Sequence, residues 1–160
     1  MVDHDYAKAI EPLTRAKASA GELGEYVTYY LGTAHLQAGH SAEAVATLAD
    51  FSEKYPDSLL IRDAHVTYAS ALLAEGRPQD AIAVLEKDRQ PARADVALAV
   101  GRAYEAAGEI AKASAALHNV YYNMPTSAEA DQAGAELKKL GASVPKRDAT
   151  AMPQMNIATC

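Results

Sequence analysis

The residues that could carry out chemistry are few and lie far apart along the chain. The five histidines are His4, His35, His40, His65 and His118. No two of them share the i, i+4 spacing that places two metal ligands on one helix face, and no HExxH motif is present. His4 and Asp5 form an HD dipeptide, but the sequence offers no further ligands for it. We therefore predict no metal site.

Nucleophilic catalysis and phosphate binding also lack a motif. The sequence contains neither a GxSxG motif nor a glycine-rich phosphate loop. Its single cysteine, Cys160, is the last residue, so it can form no intramolecular disulfide, and it has no neighbour that would activate its thiol. We expect a chain that is not itself an enzyme, with no catalytic residues and no cofactor.

Charge and composition exclude further classes of protein. The formal charge is −6, and the 15 lysines and arginines are scattered, which argues against a nucleic-acid or anionic-membrane partner. No apolar run approaches the roughly 18 residues that span a bilayer. Among the 160 residues, 36 are alanine and only one is phenylalanine, a composition that favours closely packed helices over strands.

Three segments of the chain align with one another at a period of 32 to 37 residues. Each segment carries a small residue, a glycine seven positions later, an alanine, and a leucine four positions after that alanine. These sets are Gly32, Gly39, Ala44 and Leu48; Ala69, Gly76, Ala81 and Leu85; and Gly101, Gly108, Ala113 and Leu117. Because glycine adopts positive φ without strain, we predict that each of these glycines ends a helix. We further predict that the small residues face the alanines of a partner helix.

This pattern predicts eight helices joined by short turns. Their expected ranges are 4–20, 24–38, 41–54, 59–75, 78–88, 92–107, 110–123 and 127–140. Ser41 and Ser127 are expected to open two of them, and Pro78 suits a first turn because its missing N–H is not needed there. The first range resembles the second helix of an earlier unit, and the last is expected to cap the stack with a polar face.

The repeated residues, together with Pro56 and Pro125 at the ends of two units, resemble the tetratricopeptide repeat, a helix-turn-helix of 34 residues. The second unit lacks that proline, and no unit has the tryptophan of the family. The resemblance implies a right-handed all-α solenoid of about three repeats with an extra helix at each end. It also implies a scaffold that binds a protein partner.

The first helices of the units would supply the concave groove of such a solenoid. The candidate partner-binding residues on these helices are Tyr26, Tyr29, Thr33, Val66, Ser70, Leu98, Arg102 and Glu105. Their aromatic and aliphatic character, with a single cation, predicts an amphipathic helix or extended peptide held by apolar anchors. An equal alternative is that Tyr26, Tyr29 and Tyr30 pack against the preceding helix. We expect Tyr121 and Tyr122 to cover the last helix.

A second resemblance concerns the type of repeat protein. The sequence segments at 51–58 and 120–130, which we call phrases, each combine an aromatic residue, a proline and a serine. In this they resemble segments of repeat proteins of the bacterial cell envelope. The second phrase and the residues up to Gly141 are similar to the superhelical N-terminal region of soluble lytic murein transglycosylases. This resemblance implies a periplasmic or outer-membrane location and a peptidoglycan-associated partner, although the cysteine usage fits the cytoplasm as well.

Two interpretations of the function therefore stay open. One is a non-catalytic scaffold of the cell envelope, and the other is the non-catalytic part of a peptidoglycan-cleaving enzyme whose catalytic domain is absent from this chain. An enzyme built on helices in the cytosol is a lesser third interpretation. We expect residues 1–141 to form the solenoid and residues 142–160, which have two prolines and no helical period, to form a linker or tail towards a missing region.

Overall fold

The computed structural model describes residues 5–141, which form helices and turns without a β-strand. His4 and the predicted tail at 142–160 lie outside the described residues. The α-helices are α1 (Tyr6–Ser19), α2 (Gly24–Gln37), α3 (Ser41–Leu48), α4 (Phe51–Lys54), α5 (Ile61–Ala74), α6 (Pro78–Glu86), α7 (Ala94–Ala106), α8 (Ile110–Asn123) and α9 (Glu129–Lys139). A 3-10 turn, Gly21–Leu23, leads into α2. None of the described helices is long and apolar enough to cross a membrane.

The helices stack as the sequence predicts, in an α-solenoid of helical repeats. The first helices α2, α5 and α7 each pair with the helix that follows, which is α3 with its short continuation α4, then α6, then α8. Each second helix also packs against the next first helix, and α1 and α9 extend the stack at its two ends. The predicted fold class is therefore confirmed.

The first helices also contact one another, α2 with α5 and α5 with α7, and α7 in turn contacts the end helix α9. No comparable contact joins the second helices α3, α6 and α8 among the described residues. The first helices therefore lie closer together than the second helices. They form one continuous surface, which we call the inner surface.

The closest approach within a helix pair joins a glycine to a leucine. A Cβ built on Gly32 would lie 2.5 Å from Cγ of Leu48, and one built on Gly101 would lie 2.8 Å from a methyl carbon of Leu117. Both leucines are at most 1% exposed. The predicted alanine is also close in the third unit, where the carbonyl oxygen of Ala113 lies 3.7 Å from the Cβ position of Gly101. The leucine makes the closer contact, which the sequence analysis did not predict.

The predicted turn glycines are confirmed in detail. Gly39, Gly76 and Gly108 have φ values of 82°, 73° and 78°. After α2, the N–H of Gly39 donates to the carbonyl of Leu36 at 3.1 Å and that of His40 to the carbonyl of His35 at 2.8 Å. The same two bonds recur after α5 and α7. This is the Schellman arrangement, which satisfies carbonyls that the helix end leaves without a partner.

Three details of the helix boundaries differ from the predictions. The expected helix 41–54 is interrupted at Asp50, whose φ of −110° and ψ of 18° leave the helical region. Ser41 is the first helical residue rather than a cap, and its hydroxyl donates to a carboxylate oxygen of Glu75 in the next unit. Ser127 is not a cap either, because its hydroxyl donates to the carbonyl of Met124 at 2.8 Å. Pro78 is in the first turn of α6, as predicted.

Substituting Gly32→Ala should destabilise the fold by about 1 to 3 kcal/mol, because the new methyl group must displace the fully packed Leu48. Urea unfolding followed by circular dichroism measures this change. The control is Gln37→Ala at an exposed position of the same helix, which should lie within about 0.5 kcal/mol of the wild type. A Gly32→Ala variant as stable as this control would contradict the close contact.

Candidate functional site

A groove opens on the inner surface between α5, α7 and α9, and four of the predicted residues line it. Val66 and Ser70 come from α5, and Leu98 and Arg102 come from α7. The remaining lining residues are Ala69, Leu73, Asp95, Ala99, Glu129 and Gln132. Corresponding positions on successive first helices thus meet at one groove, since those helices lie side by side.

The floor of this groove is apolar and continuous with the core. Leu98 is only 4% exposed and packs with Leu117 and Leu137 of α8 and α9, while Ala99 packs against α5. Val66 is half-buried, whereas Ser70 is exposed at the rim. A bound side chain would therefore rest on Val66 and Ala99 more than on Leu98, most of whose surface is already covered.

The other four predicted residues do not line this groove. Tyr29 is half-buried and packs against the core cluster of Leu48, Phe51 and Ala64, and its ring contacts Tyr30 edge to face at 5.3 Å. The hydroxyl of Thr33 donates to the Tyr29 carbonyl at 3.0 Å.

Tyr26 is 47% exposed on α2, and Glu105 is half-buried near the end of α7. Tyr29 therefore packs towards the helices that follow α2. The partner-binding role of these four residues stays a prediction.

Arg102 is tied to the last helix rather than free in the groove. Its Nε donates to Oε1 of Glu136 at 2.7 Å, and its Nη2 donates to Oε1 of Gln132 at 3.0 Å. The other carboxylate oxygen of Glu136 is buried and has no hydrogen-bond partner among the described residues. The guanidinium therefore joins α7 to α9 across the groove and remains 44% exposed to a ligand.

A second cation beside the groove was not anticipated from the sequence, which assigned a single cation to this surface. Arg93, just before α7, donates to Oδ1 of Asp63 at 2.7 Å and to both carboxylate oxygens of Asp95 at 2.5 and 3.0 Å. Burial alone would raise the pKa of the Asp95 carboxyl. The hydrogen bonds and charge of Arg93 outweigh burial and hold that pKa below its ordinary value.

The loop between α6 and α7 is held in place by a polar cluster. Nδ1 of His65 lies 2.5 Å from Oδ2 of Asp88, and both side chains are almost buried. The guanidinium of Arg62 donates to the backbone carbonyls of Asp88, at 2.6 Å, and Pro91. These contacts attach the loop to the first turns of α5. They were missed because nothing in the repeat pattern relates 62–65 to 88–91.

The other histidines within residues 5–141, which are His35, His40 and His118, lie against aromatic rings. His35 is half-buried beside His40, and burial lowers its pKa from the ordinary value. His118 stacks on Tyr122 with 5.6 Å between ring centroids. Within residues 5–141, no three histidine, cysteine or acidic side chains come together in a way that could hold a metal ion.

The comparisons with known proteins agree with the helical repeat. Residues 26–58 match the family model described as tetratricopeptide repeat. The matched segment covers most of α2, all of α3 and α4, and the turn that follows, so this unit is similar to a single repeat of that family. No curated protein matches the chain. A TPR-like repeat indicates a scaffold for protein–protein interaction.

The Arg93 contacts predict a dependence of stability on pH. Because the pKa of Asp95 is lower in the folded chain than in the unfolded chain, its ionised form stabilises the fold above about pH 4. That contribution is lost as the pH falls further and the carboxylate is protonated. Urea midpoints measured from about pH 6 to pH 3 should therefore fall less steeply in Asp95→Asn than in the wild type. Parallel curves for the two proteins would contradict this assignment.

Proposed function

We propose that this chain is a non-catalytic scaffold that holds a peptide segment of a protein partner in the groove between α5, α7 and α9. The observation that carries the proposal is the groove itself, since it combines an apolar floor with a polar rim on the inner surface. Clefts of this kind suit ligands with a few apolar anchors and flanking polar contacts.

The chemistry of the groove indicates what the partner segment should look like. Its floor, with Val66 and Ala99, accepts a medium-sized aliphatic or aromatic side chain. The rim carries Glu129 and Asp95, together with the exposed part of Arg102. Arg102 already lies against Glu136, and Asp95 already accepts from Arg93. Glu129 is the remaining acidic residue of the groove lining, and it favours a basic residue next to the apolar anchor.

Filling the groove tests this function. Peptides selected from a displayed library on the wild-type chain should bind Ser70→Trp at least about tenfold more weakly, because an indole at position 70 occupies the space above the floor. Fluorescence polarisation with the selected peptides measures the loss of affinity.

The matched control is Ala83→Trp, an exposed position on the second helix of the same unit. It should leave peptide affinity unchanged, and both variants should keep the wild-type circular dichroism spectrum. Equal affinity of the wild type and Ser70→Trp would contradict binding in this groove.

We further propose that the scaffold acts in the bacterial cell envelope, in the periplasm or at the outer membrane. The support is the similarity of the phrases at 51–58 and 120–130 to envelope repeat proteins. The alternative is the superhelical part of a lytic transglycosylase, favoured by the resemblance of residues 120–141 to that region. In either case the chain positions other molecules on peptidoglycan and cleaves nothing itself.

Purified peptidoglycan sacculi separate these proposals from a catalytic function. The chain should release no soluble muropeptides, because the proposal assigns it no catalytic residue. Chromatography of the supernatant measures this, with hen lysozyme as the positive control. Release of muropeptides by the chain would contradict the non-catalytic proposal, and co-sedimentation with the sacculi would support the peptidoglycan association.

A further inference from the structure

A second cleft lies between the loop that follows α6 and the exposed side of α8. Two cavities meet there and share three lining residues, so we treat them as one space and call it the outer cleft. The residues of its lining that carry the argument are Arg89, Ala97, Lys112, Ala115, Asn119 and Met124.

The outer cleft and the groove lie on opposite sides of α7. Val96, Val100 and Tyr104 line the outer cleft at intervals of four residues, whereas Leu98 and Arg102 line the groove. Successive residues of a helix are rotated by about 100°, so these two sets of positions face in opposite directions. A ligand in one site therefore leaves the other site open.

The outer cleft exists because a small side chain occupies its floor. Val100 lies eight residues before the turn glycine of its unit, and Tyr68 holds the same position in the preceding unit. The side chain of Tyr68 packs against two core clusters, one around Leu48 and one around Leu85. Valine is too short to bridge the corresponding distance, so a space remains beside α7.

The next junction of the stack is filled by an aromatic ring. The ring of Tyr121 lies against Gly134 of α9, where a Cβ would be 2.8 Å from the ring. The prediction that Tyr121 covers the last helix is therefore confirmed, whereas Tyr122 stacks on His118. Tyrosines thus fill the junctions on both sides of the outer cleft.

The walls of the outer cleft present hydrogen-bond donors. The side chains of Arg89 and Lys112 are 51% and 62% exposed. The amide oxygen of Asn119 accepts from Asn123 at 2.7 Å, which leaves the amide N–H groups of Asn119 as donors. Among the described residues, no aspartate or glutamate belongs to the lining. A polar ligand must therefore supply hydrogen-bond acceptors.

The acidic partners of these cations lie outside the lining. Glu86 accepts from Arg89 at 3.3 and 3.4 Å, which is long for a charged hydrogen bond, and from the hydroxyl of Tyr104 at 2.7 Å. Glu86 therefore keeps its short hydrogen bond when Arg89 turns towards a ligand. Lys112 pairs with Glu109 at 2.6 Å and lies 5.2 Å from the ring centroid of Tyr104. Exposed ion pairs are weak, so a ligand carboxylate competes with them.

A third cation of the lining is already neutralised. Arg93 forms ion pairs with Asp63 at 2.7 Å and with Asp95 at 2.5 Å. Its charge is offset by these two carboxylates. Attraction of an anionic ligand therefore depends on Arg89 and Lys112.

We propose that the outer cleft binds an acidic segment of a second protein partner. Its carboxylates pair with Arg89 and Lys112, and an apolar side chain of the segment packs against Ala97 and Met124, which are half-buried. Two available cations suit a short acidic segment. A nucleic acid would bring many phosphates to a chain with a formal charge of −6, which repels it.

Fluorescence polarisation with the full chain tests this proposal. The probe is a labelled peptide in which one phenylalanine lies between acidic residues. It should bind at least about tenfold more tightly than a peptide with lysines in place of the acids, or with glycine in place of the phenylalanine. Raising NaCl from about 50 to 500 mM should weaken binding, because salt screens exposed charges. Equal binding of the three peptides, or tighter binding of a thymidine oligonucleotide, would overturn the proposal.

Two pairs of variants locate the site. Arg89→Glu should weaken binding of the acidic probe at least about tenfold, whereas Lys87→Glu makes the same change of charge at an exposed position outside the lining and should have less than about a twofold effect. Ala115→Trp narrows the cleft without changing charge and should also weaken binding. Ala111→Trp, exposed on the same helix, should not. Equal losses within either pair would contradict the site, provided that circular dichroism shows all four variants folded.

The outer cleft is tested independently of the groove. Ser70→Trp, which fills the groove, should bind the acidic probe as the wild type does, because the two sites lie on opposite sides of α7. Loss of the acidic probe in Ser70→Trp would place its binding in the groove and overturn the proposal. Failure of the groove experiment would leave this result unchanged.

Discussion

Each unit of this solenoid depends on a leucine of the second helix that lies against a small residue of the first. In the first and third units the small residue is glycine, and no space remains between it and Leu48 or Leu117. Close packing of this kind fixes the distance between helix axes, because the leucine side chain is fully buried against the backbone of the glycine. That distance sets where each first helix lies relative to its second helix. The groove on the inner surface depends on these positions.

Polar contacts then fix how the units sit against one another. Arg93 joins α5 to the start of α7 through Asp63 and Asp95, and Arg102 joins α7 to α9 through Glu136. The groove lies between these two sets of ion pairs. Asp95 and Arg102 at its border already have partners, so a ligand meets a surface whose shape is set before it binds. Such a site selects its ligand by shape and by an apolar anchor.

The sequence predicted the elements that repeat and missed the contacts that do not. Gly39, Gly76 and Gly108 mark helix ends, because a positive φ is a local requirement that one residue type meets. The hydrogen bonds of Arg62 and Arg93 join residues 26 to 30 positions apart, and they involve a loop that no other unit shares. The periodicity of the sequence therefore could not predict them. For the groove, helical spacing predicted Val66, Ser70, Leu98 and Arg102 on one surface, and the structure brings these four residues together. Their partner-binding role stays a prediction. The spacing could not show that the residues of α2 lie outside the groove, because that depends on how the helices pack.

Amide chemical-shift mapping tests most directly the claim that the inner surface is the binding surface. A peptide selected on the wild-type chain is titrated into labelled protein. The account predicts that the largest shifts fall on α5, α7 and α9 around Ser70 and Gln132, with small changes on the second helices. Shifts centred on the exposed faces of α3, α6 and α8 would contradict it.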